Sequence, residues 1–379
     1  MPTSILYIIN DPGFFISHRL PIAIEAKRLG YNVVVATAAG EKVKNIIASG
    51  FRYCHLPISR GSKNPLSELR LICSIIRLYI SVRPDLVHLV TIKPVLYGGI
   101  LSRILRVPAM VFAISGMGYL FTEKRHGWLR RIVEMLYRLA LKHPNCKIIV
   151  QNIADQAVLR SIGALKREQD VLIPGSGVDL EEYRPSPLPK GPPIVMFPSR
   201  MLWDKGVGEF IVAARTLKEQ GCKARFTLVG SYDPQNPAAV ALQQLNKWKS
   251  EGQVEWWGHR EDMPNVFAMS TLVVLPSFYR EGVPKVLLEA AASGRAIITT
   301  DAPGCRDVVE PGINGELVPI KNAKALTDAI GKLLKDKEVL EVMGRRGRKI
   351  AETKFGIERV VADHMKIYKN LLKNTKSNE

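Results

Sequence analysis

The sequence has no C-x-x-C pair. Its five cysteines (Cys54, Cys73, Cys146, Cys222 and Cys305) are odd in number and scattered, which speaks against a disulfide framework or a zinc site and for free thiols in a reducing compartment. No apolar run approaches the roughly 20 residues of a membrane-spanning helix. The opening MPTSILYIINDPG lacks a basic region and reaches Asp11 too early for a secretory signal. The chain is therefore expected in the cytoplasm, either cytosolic or peripheral on the inner face of the cytoplasmic membrane. The first strand-to-helix turn carries no G-x-G-x-x-G, so a dinucleotide fingerprint is missing. No D-x-D pair stands near a strand end, Asp233 and Asp301 being isolated; no metal site and no cofactor are expected. There is no internal repeat. No recognition module or aromatic-basic motif for nucleic acid is found either.

What the chain does have is length, apolar content and positive charge. Its 379 residues, 46% of them hydrophobic, suffice for roughly two or three domains with sizeable cores. The formal net charge of +19 calls for an acidic partner, whether nucleic acid, anionic lipid or a phosphorylated substrate. The excess is uneven. Residues 1–185 hold 25 Lys and Arg against 13 Asp and Glu, a net of +12, whereas the remainder holds 29 against 22, a net of +7.

Short apolar runs read as buried parallel strands at residues 5–9, 33–37, 53–57, 86–90, 109–114, 147–151 and 171–174. Helical patterns lie at residues 14–29 and 65–82. Residues 173–193, IPGSGVDLEEYRPSPLPKGPP, shift to Pro, Gly and Ser and read as a linker. They divide a first domain, 1–188, from a second, 189–356, whose strands are expected at residues 194–198, 224–230, 253–256, 271–275 and 296–300. Residues 126–143, HGWLRRIVEMLYRLALKH, are strongly amphipathic. Trp128, Ile132, Met135, Leu136 and Leu139 fall near one face, and Arg130, Arg131, Arg138 and Lys142 supply positive charge. Such a helix either lies on an anionic membrane surface or turns its apolar face into a core.

Candidate ligand groups cluster where strands give way to helices, the side on which open α/β sheets bind ligands. Residues 277–294, SFYREGVPKVLLEAAASG, follow a buried strand. Pro284 suits a first helical position. The Lys285 and Val286 amides would then point outward with the positive end of the helix dipole, a setting for an anion. Glu281 stands at the helix mouth and Glu289 inside it. Carboxylates there fit a phosphate joined to a hydroxyl-rich group, or they are a cap and a solvated helix position. Residues 199–206, SRMLWDKG, place Arg200 and Lys205 at a second such turn, again suited to phosphate, or as two surface cations. In the first half, Gly13 lies in the first turn, His18 and Arg19 follow in the first helix, and Thr91 and Lys93 stand at a strand end in DLVHLVTIKPVLYGG. Gly116 lies in the flexible loop SGMGYLF. Each of these also has an ordinary reading as a turn, packing or surface residue.

The E-x7-E spacing of Glu281 and Glu289 resembles the donor-site motif of retaining glycosyltransferases of family 4. The resemblance extends over nearly the whole chain. SRMLWDKG is similar to the family's G-R-L-x-x-x-K-G, with Ser199 for Gly and Met201 for Leu. The linker resembles N-G-V-D-x-x-x-F-x-P, with Tyr183 for Phe. APGCRDVVEPGINGELV resembles the loop and hairpin beside the donor site, and FFISHRLPIA, TIKP and GMGY resemble members that build bacterial surface glycans. The implied architecture is α/β of the GT-B type, two Rossmann-like domains with parallel sheets facing across a cleft. The last helix, about 357–374, would return to the first domain.

The resemblance also implies the chemistry. A sugar would move from a UDP-sugar, of the N-acetylgalactosamine type, to a polyprenyl-diphosphate-linked glycan acceptor, without a required metal. Glu281, Arg200 and Lys205 would be catalytic. The donor would touch Gly13, Arg200, Lys205, Gly258, His259, Arg260, Glu281, Gly282, Val283, Lys285, Val286 and Glu289, and the acceptor His18, Arg19, Thr91, Lys93 and Gly116. Many members carry a histidine at the strand end where Ser115-Gly116 stands here, so that residue has no counterpart. Two rivals remain, an isomerase resembling UDP-N-acetylglucosamine 2-epimerases of the same shape, and a basic nucleic-acid-binding protein suggested by charge alone.

Overall fold

A computed structural model of the chain describes residues 2–58, 64–118, 121, 127–166, 168–234 and 236–376. Two compact units emerge, residues 1–176 with 357–379, and residues 177–356. The boundary falls earlier than the expected end of the first domain at residue 188. The reason is packing: Val178, Tyr183 and Leu188 of the Pro-rich stretch are buried in the second unit's core.

The first unit holds a seven-stranded sheet built from β1 (Ser4–Ile8), β2 (Asn32–Thr37), β3 (Arg52–His55), β4 (Leu86–Val90), β5 (Ala109–Ile114), β6 (Cys146–Val150) and β7 (Asp170–Leu172). The order is β3-β2-β1-β4-β5-β6-β7, and every pairing is parallel. Residues alternate between two cores because successive side chains point to opposite faces. Leu6, Ile8, Val87 and Leu89 join one cluster and Ile5, Tyr7, Leu86 and Val90 the other. The second cluster is closed by the helix Ile357–Lys376, which contributes Val360, Ile367, Tyr368 and Leu371. That helix extends past Lys369 because Leu371 is buried and Leu372 packs against the core.

The second unit holds a six-stranded parallel sheet of β8 (Ile194–Pro198), β9 (Arg225–Val229), β10 (Glu255–Gly258), β11 (Leu272–Leu275), β12 (Ala296–Thr300) and β13 (Gly315–Val318), in the order β10-β9-β8-β11-β12-β13. The hairpin expected within residues 302–318 is not formed. Residues 310–314 make a turn closed by the Gly312 amide on the Gly315 carbonyl, and β13 then joins the sheet edge parallel to β12.

One expected helix is two. Residues 14–29 split into Pro12–His18 and Leu20–Arg28, with Arg19 at φ −129° between them. Pro21 explains the break, since it lacks the N–H that would bond back one turn and its ring crowds the preceding carbonyl.

Candidate active site

In the second unit, β8 leads through residues 199–202 into the short turn Trp203–Lys205 and then the helix Val207–Glu219. Gly206 joins the turn to the helix at φ 80°, and a Cβ there would stand 2.1 Å from the Pro276 carbonyl oxygen. Only glycine lets this turn lie against the loop after β11. The two loops are then clamped together. The Asp204 carbonyl accepts from the Phe278 and Tyr279 amides, both at 3.1 Å, and from the Ser277 hydroxyl at 3.3 Å. This sets Lys205 Nζ 2.6 Å from Glu281 Oε2. The Ser277 hydroxyl lies 2.7 Å from Glu281 Oε1. Both ends of the Glu281 carboxylate are thereby oriented.

The helix Lys285–Ala292 starts directly after Pro284, which offers no side-chain acceptor to its first amides. The opening of this helix is therefore available to an anion. Glu289 lies one turn in, 3.2 Å from Lys285 Nζ, and is buried, which argues against a solvated position. Burial first, and then the Glu289 carboxylate, pushes the Tyr183 hydroxyl well above its ordinary pKa. Across the sheet, Arg200 donates from Nη1 to Asp233 Oδ2 at 2.7 Å. The loop after β12 closes in through Gly304, where a Cβ would stand 1.8 Å from the Gly282 carbonyl. Thus Arg200, Lys205, Glu281, Gly282, Val283, Lys285, Val286 and Glu289 all lie on the loops and helix start at the carboxyl ends of β8 and β11.

Gly258 ends β10 at φ 69°, and its carbonyl accepts from the Gly230 amide at 2.8 Å. Arg260 forks onto Asp262 with two contacts of 2.7 Å, and His259 is exposed. Sequence reasoning missed four neighbours. Ser277, Asp233 and Tyr183 each hold an expected residue in place. Asp204 stands between the two turns with Oδ1 buried and unpartnered, its carboxyl pKa raised chiefly by burial. Its one sequence signal was adjacency to Lys205. No group of three His, Cys, Asp or Glu side chains among the described residues is arranged to hold a metal.

The first unit differs from expectation at Gly13. Asp11 caps the helix by accepting from the Phe14 amide at 2.8 Å, and Pro12 takes the first turn, so Gly13 lies inside the helix and not in a loop. His18 stacks on Phe14, ring centroids 3.9 Å apart, and its Nδ1 lies 2.7 Å from the Ser17 hydroxyl. Lys93 is held by Glu68 at 2.6 Å, and the Tyr97 hydroxyl occupies the other oxygen of that carboxylate. Thr91 follows β4 at φ 73°, and Gly116 follows β5 at φ 99°. Arg19 is 1% exposed. Beneath it a polar chain runs from the Tyr7 hydroxyl to that of Tyr368 at 2.8 Å and on to His88 Nδ1 at 2.6 Å. His364 stacks over His88 at 5.7 Å and places Nδ1 2.7 Å from the Val360 carbonyl. Burial, with the Arg19 charge second, holds both histidines well below their ordinary pKa, His364 at about 3.

Comparison with known proteins agrees with the two-sheet fold. Residues 4–152 match the family model described as glycosyl transferase 4-like, and residues 179–350 match that of the glycosyl transferases group 1. A relative from Campylobacter jejuni, an N,N'-diacetylbacillosaminyl-diphospho-undecaprenol alpha-1,3-N-acetylgalactosaminyltransferase, is 27% identical over 97% of this chain and 98% of its own. Among solved structures, the sucrose-phosphate synthase of Thermosynechococcus elongatus superposes with a TM-score of 0.81 at 20% identity, over 98% of this chain and 100% of that one. Anabaena HepE, solved with UDP, superposes at 0.77 with 20% identity over 98% and 100%. The chain is a glycosyltransferase with two Rossmann-like parallel-sheet domains, the first matching the glycosyl transferase 4-like model and the second that of the glycosyl transferases group 1.

Proposed function

We propose that this chain moves an N-acetylhexosamine of the GalNAc type from a UDP-sugar to a polyprenyl-diphosphate-linked glycan, with retention at the anomeric carbon, in the assembly of a bacterial surface polysaccharide or glycoprotein glycan. The observation that carries the reading is the ordered cluster at the ends of β8 and β11. It joins a cation, a doubly oriented carboxylate and an uncapped helix start. The diphosphate lies against Arg200, Lys205 and the Lys285 and Val286 amides, which stabilise the charge that develops as the sugar leaves. Glu281 accepts hydrogen bonds from the donor sugar hydroxyls, and Glu289 from the ribose. The backbone of residues 258–260 faces the base; the fork of Arg260 is taken by Asp262. No step requires a metal. The name of the Campylobacter jejuni relative supports both the sugar and the lipid-linked acceptor. The test is a screen of nucleotide sugars for hydrolysis and thermal stabilisation, followed by transfer to a polyprenyl-diphosphate glycan. Loss of a UDP-N-acetylhexosamine without transfer, with an epimer as product, would favour the isomerase.

The same reading places the protein on an anionic membrane surface. Among the described residues no helix is long and apolar enough to cross a membrane. The helix Trp128–Ala140, however, turns Val133, Tyr137 and Ala140 into the core. Trp128, at 74% exposure, and Ile132, Met135 and Leu139 face outward beside Arg131 and Arg138. The outward face combines apolar side chains with positive charge, the composition that suits an anionic lipid surface.

A further inference from the structure

Arg19 and Arg295 are the two largest fully buried side chains, and they are satisfied very differently. Arg295, in the second unit, spends its whole fork on the protein. Nε donates to the Phe267 carbonyl at 2.8 Å, Nη1 to the Ser186 carbonyl at 2.9 Å, and Nη2 to the Ala268 carbonyl at 3.2 Å and the Ser186 hydroxyl. That is a structural arginine. Arg19, in the first unit, has no such set. Its Nη1 reaches the carbonyl of its own neighbour His18 at 3.0 Å, its Nη2 reaches only the Ser115 hydroxyl at 3.4 Å, and Nε has no partner. Among the described residues no carboxylate pairs with it. A buried guanidinium left this way is costly unless an anion completes it.

The surroundings are unsatisfied in the same place. Strand order in the first sheet reverses between β1 and β4, and open α/β sheets take ligands at the carboxyl ends of the strands flanking such a reversal. The register pairs Ile8 with Leu89, and Asn10 and Thr91 each follow that pair by two residues, at the carboxyl ends of β1 and β4. Asn10 Oδ1 and the Thr91 hydroxyl are both buried without a partner. Thr91 moreover has φ 73°, a conformation that a β-branched residue rarely adopts and that is found where a ligand site holds strain. Ser115, at the end of the adjacent β5, is half-buried and links Arg19 to the same edge.

We infer that the switch point of the first sheet is a phosphate site, in which Arg19 holds the anion and Ser115, Thr91 and Asn10 hold its oxygens and an adjoining hydroxyl. The ligand class is a diphosphate ester of a hydroxylated group. The choice of ligand rests on the proposed function, and both a lipid diphosphate and the nucleotide diphosphate share that chemistry. Lys93, expected from sequence to touch the acceptor, is instead engaged by Glu68, whereas no acid among the described residues engages Arg19.

The test uses the full chain and calorimetry with two probes, farnesyl diphosphate at saturating UDP, and UDP alone. Loss of one hydrogen bond to a charged group weakens binding by tenfold or more. Arg19→Met should therefore weaken farnesyl diphosphate binding at least tenfold if the lipid supplies the phosphate, or UDP binding by that factor if the nucleotide does. Arg19→Lys should recover part of the loss. Thr91→Gly removes the hydroxyl and also the backbone strain, so it should fold at least as well as wild type and still bind the same probe several-fold more weakly. This variant keeps the inference testable should Arg19→Met fail to fold. If Arg19→Met and Thr91→Gly bind both probes as wild type does, the site does not exist. Sugar transfer that persists in those variants would leave the proposed function standing while this inference falls. Arg19-dependent farnesyl diphosphate binding in a protein that consumes no nucleotide sugar would do the reverse.

Discussion

Acidification should loosen the first unit before it touches the second. The perturbation is the protonation of two buried histidines. His88 and His364 are fully buried between β4 and the helix Ile357–Lys376, faced by Arg19, Tyr7 and Tyr368. None of these neighbours offers a negative charge at neutral pH, since burial raises both tyrosines. A histidine with a depressed folded pKa binds fewer protons folded than unfolded. Its contribution is therefore complete above the unfolded value of about 6.5 and is lost as pH falls toward the folded value. For His364, held at about 3, pH 5 lies inside that window. At about 1.5 units below 6.5 and about 1.36 kcal/mol per unit, the loss is about 2 kcal/mol. His88 adds a change of the same sign. Hydrogen exchange of the segment 357–376 reads this directly. After correction for intrinsic rates, its protection should fall roughly thirtyfold or more between pH 7 and pH 5. His364→Leu, which removes the titrating group but keeps the volume, should flatten that dependence. Unchanged wild-type protection at pH 5, or an equally steep fall in His364→Leu, would refute the reasoning.

Arg200→Ala and Lys205→Ala should each lower kcat/KM on the order of 100-fold, the effect of removing one preorganised donor; near wild-type turnover in both would sink the phosphate assignment. Glu281→Gln should mainly depress kcat, because its hydroxyl contact aligns the reacting sugar. Glu289→Gln should mainly weaken UDP binding, because ribose contacts are equal in ground and transition states; calorimetry with UDP showing the opposite pattern would reverse the two roles. Activity should persist in excess EDTA, and loss restored by Mg²⁺ or Mn²⁺ would reject the metal-free reading. Replacing Arg130, Arg131 and Arg138 with Gln should weaken binding to anionic vesicles in a salt-sensitive way, whereas wild-type vesicle binding by the triple variant would assign the attraction to another surface.

The parallel strands were legible because burial on both faces writes continuous apolar runs, and the runs at residues 86–90, 109–114, 194–198 and 296–300 coincide with β4, β5, β8 and β12. The donor-side candidates were legible because the family motif fixes their spacing along strand-to-helix turns. Their partners were not. Asp233 and Ser277 meet Arg200 and Glu281 through tertiary contact, and no local pattern announces a residue brought in by the fold. The buried chain from Tyr7 to Tyr368 was invisible for the same reason, since its members lie 361 positions apart. The split at Arg19 was readable in principle from Pro21, but the apolar periodicity on either side outweighed that one signal. The linker misled for a physical reason. Its Pro, Gly and Ser content describes the backbone, whereas its membership of a core is decided by Val178, Tyr183 and Leu188.

The return of residues 357–376 to the first sheet has a consequence for how the protein is made. The polypeptide leaves the first unit at residue 176 and comes back only at 357. On the ribosome, at about 5–20 residues per second, the second sheet is synthesised in full while one face of the first still lacks Val360, Ile367, Tyr368 and Leu371. For roughly ten seconds or more at those rates, the nascent chain carries an uncovered apolar layer around Tyr7 and His88. The C-terminal helix is therefore a late lid on an early fold. A stop codon before residue 357 would leave that layer open, and such a fragment should be held by chaperones or aggregate even though both sheets have been made.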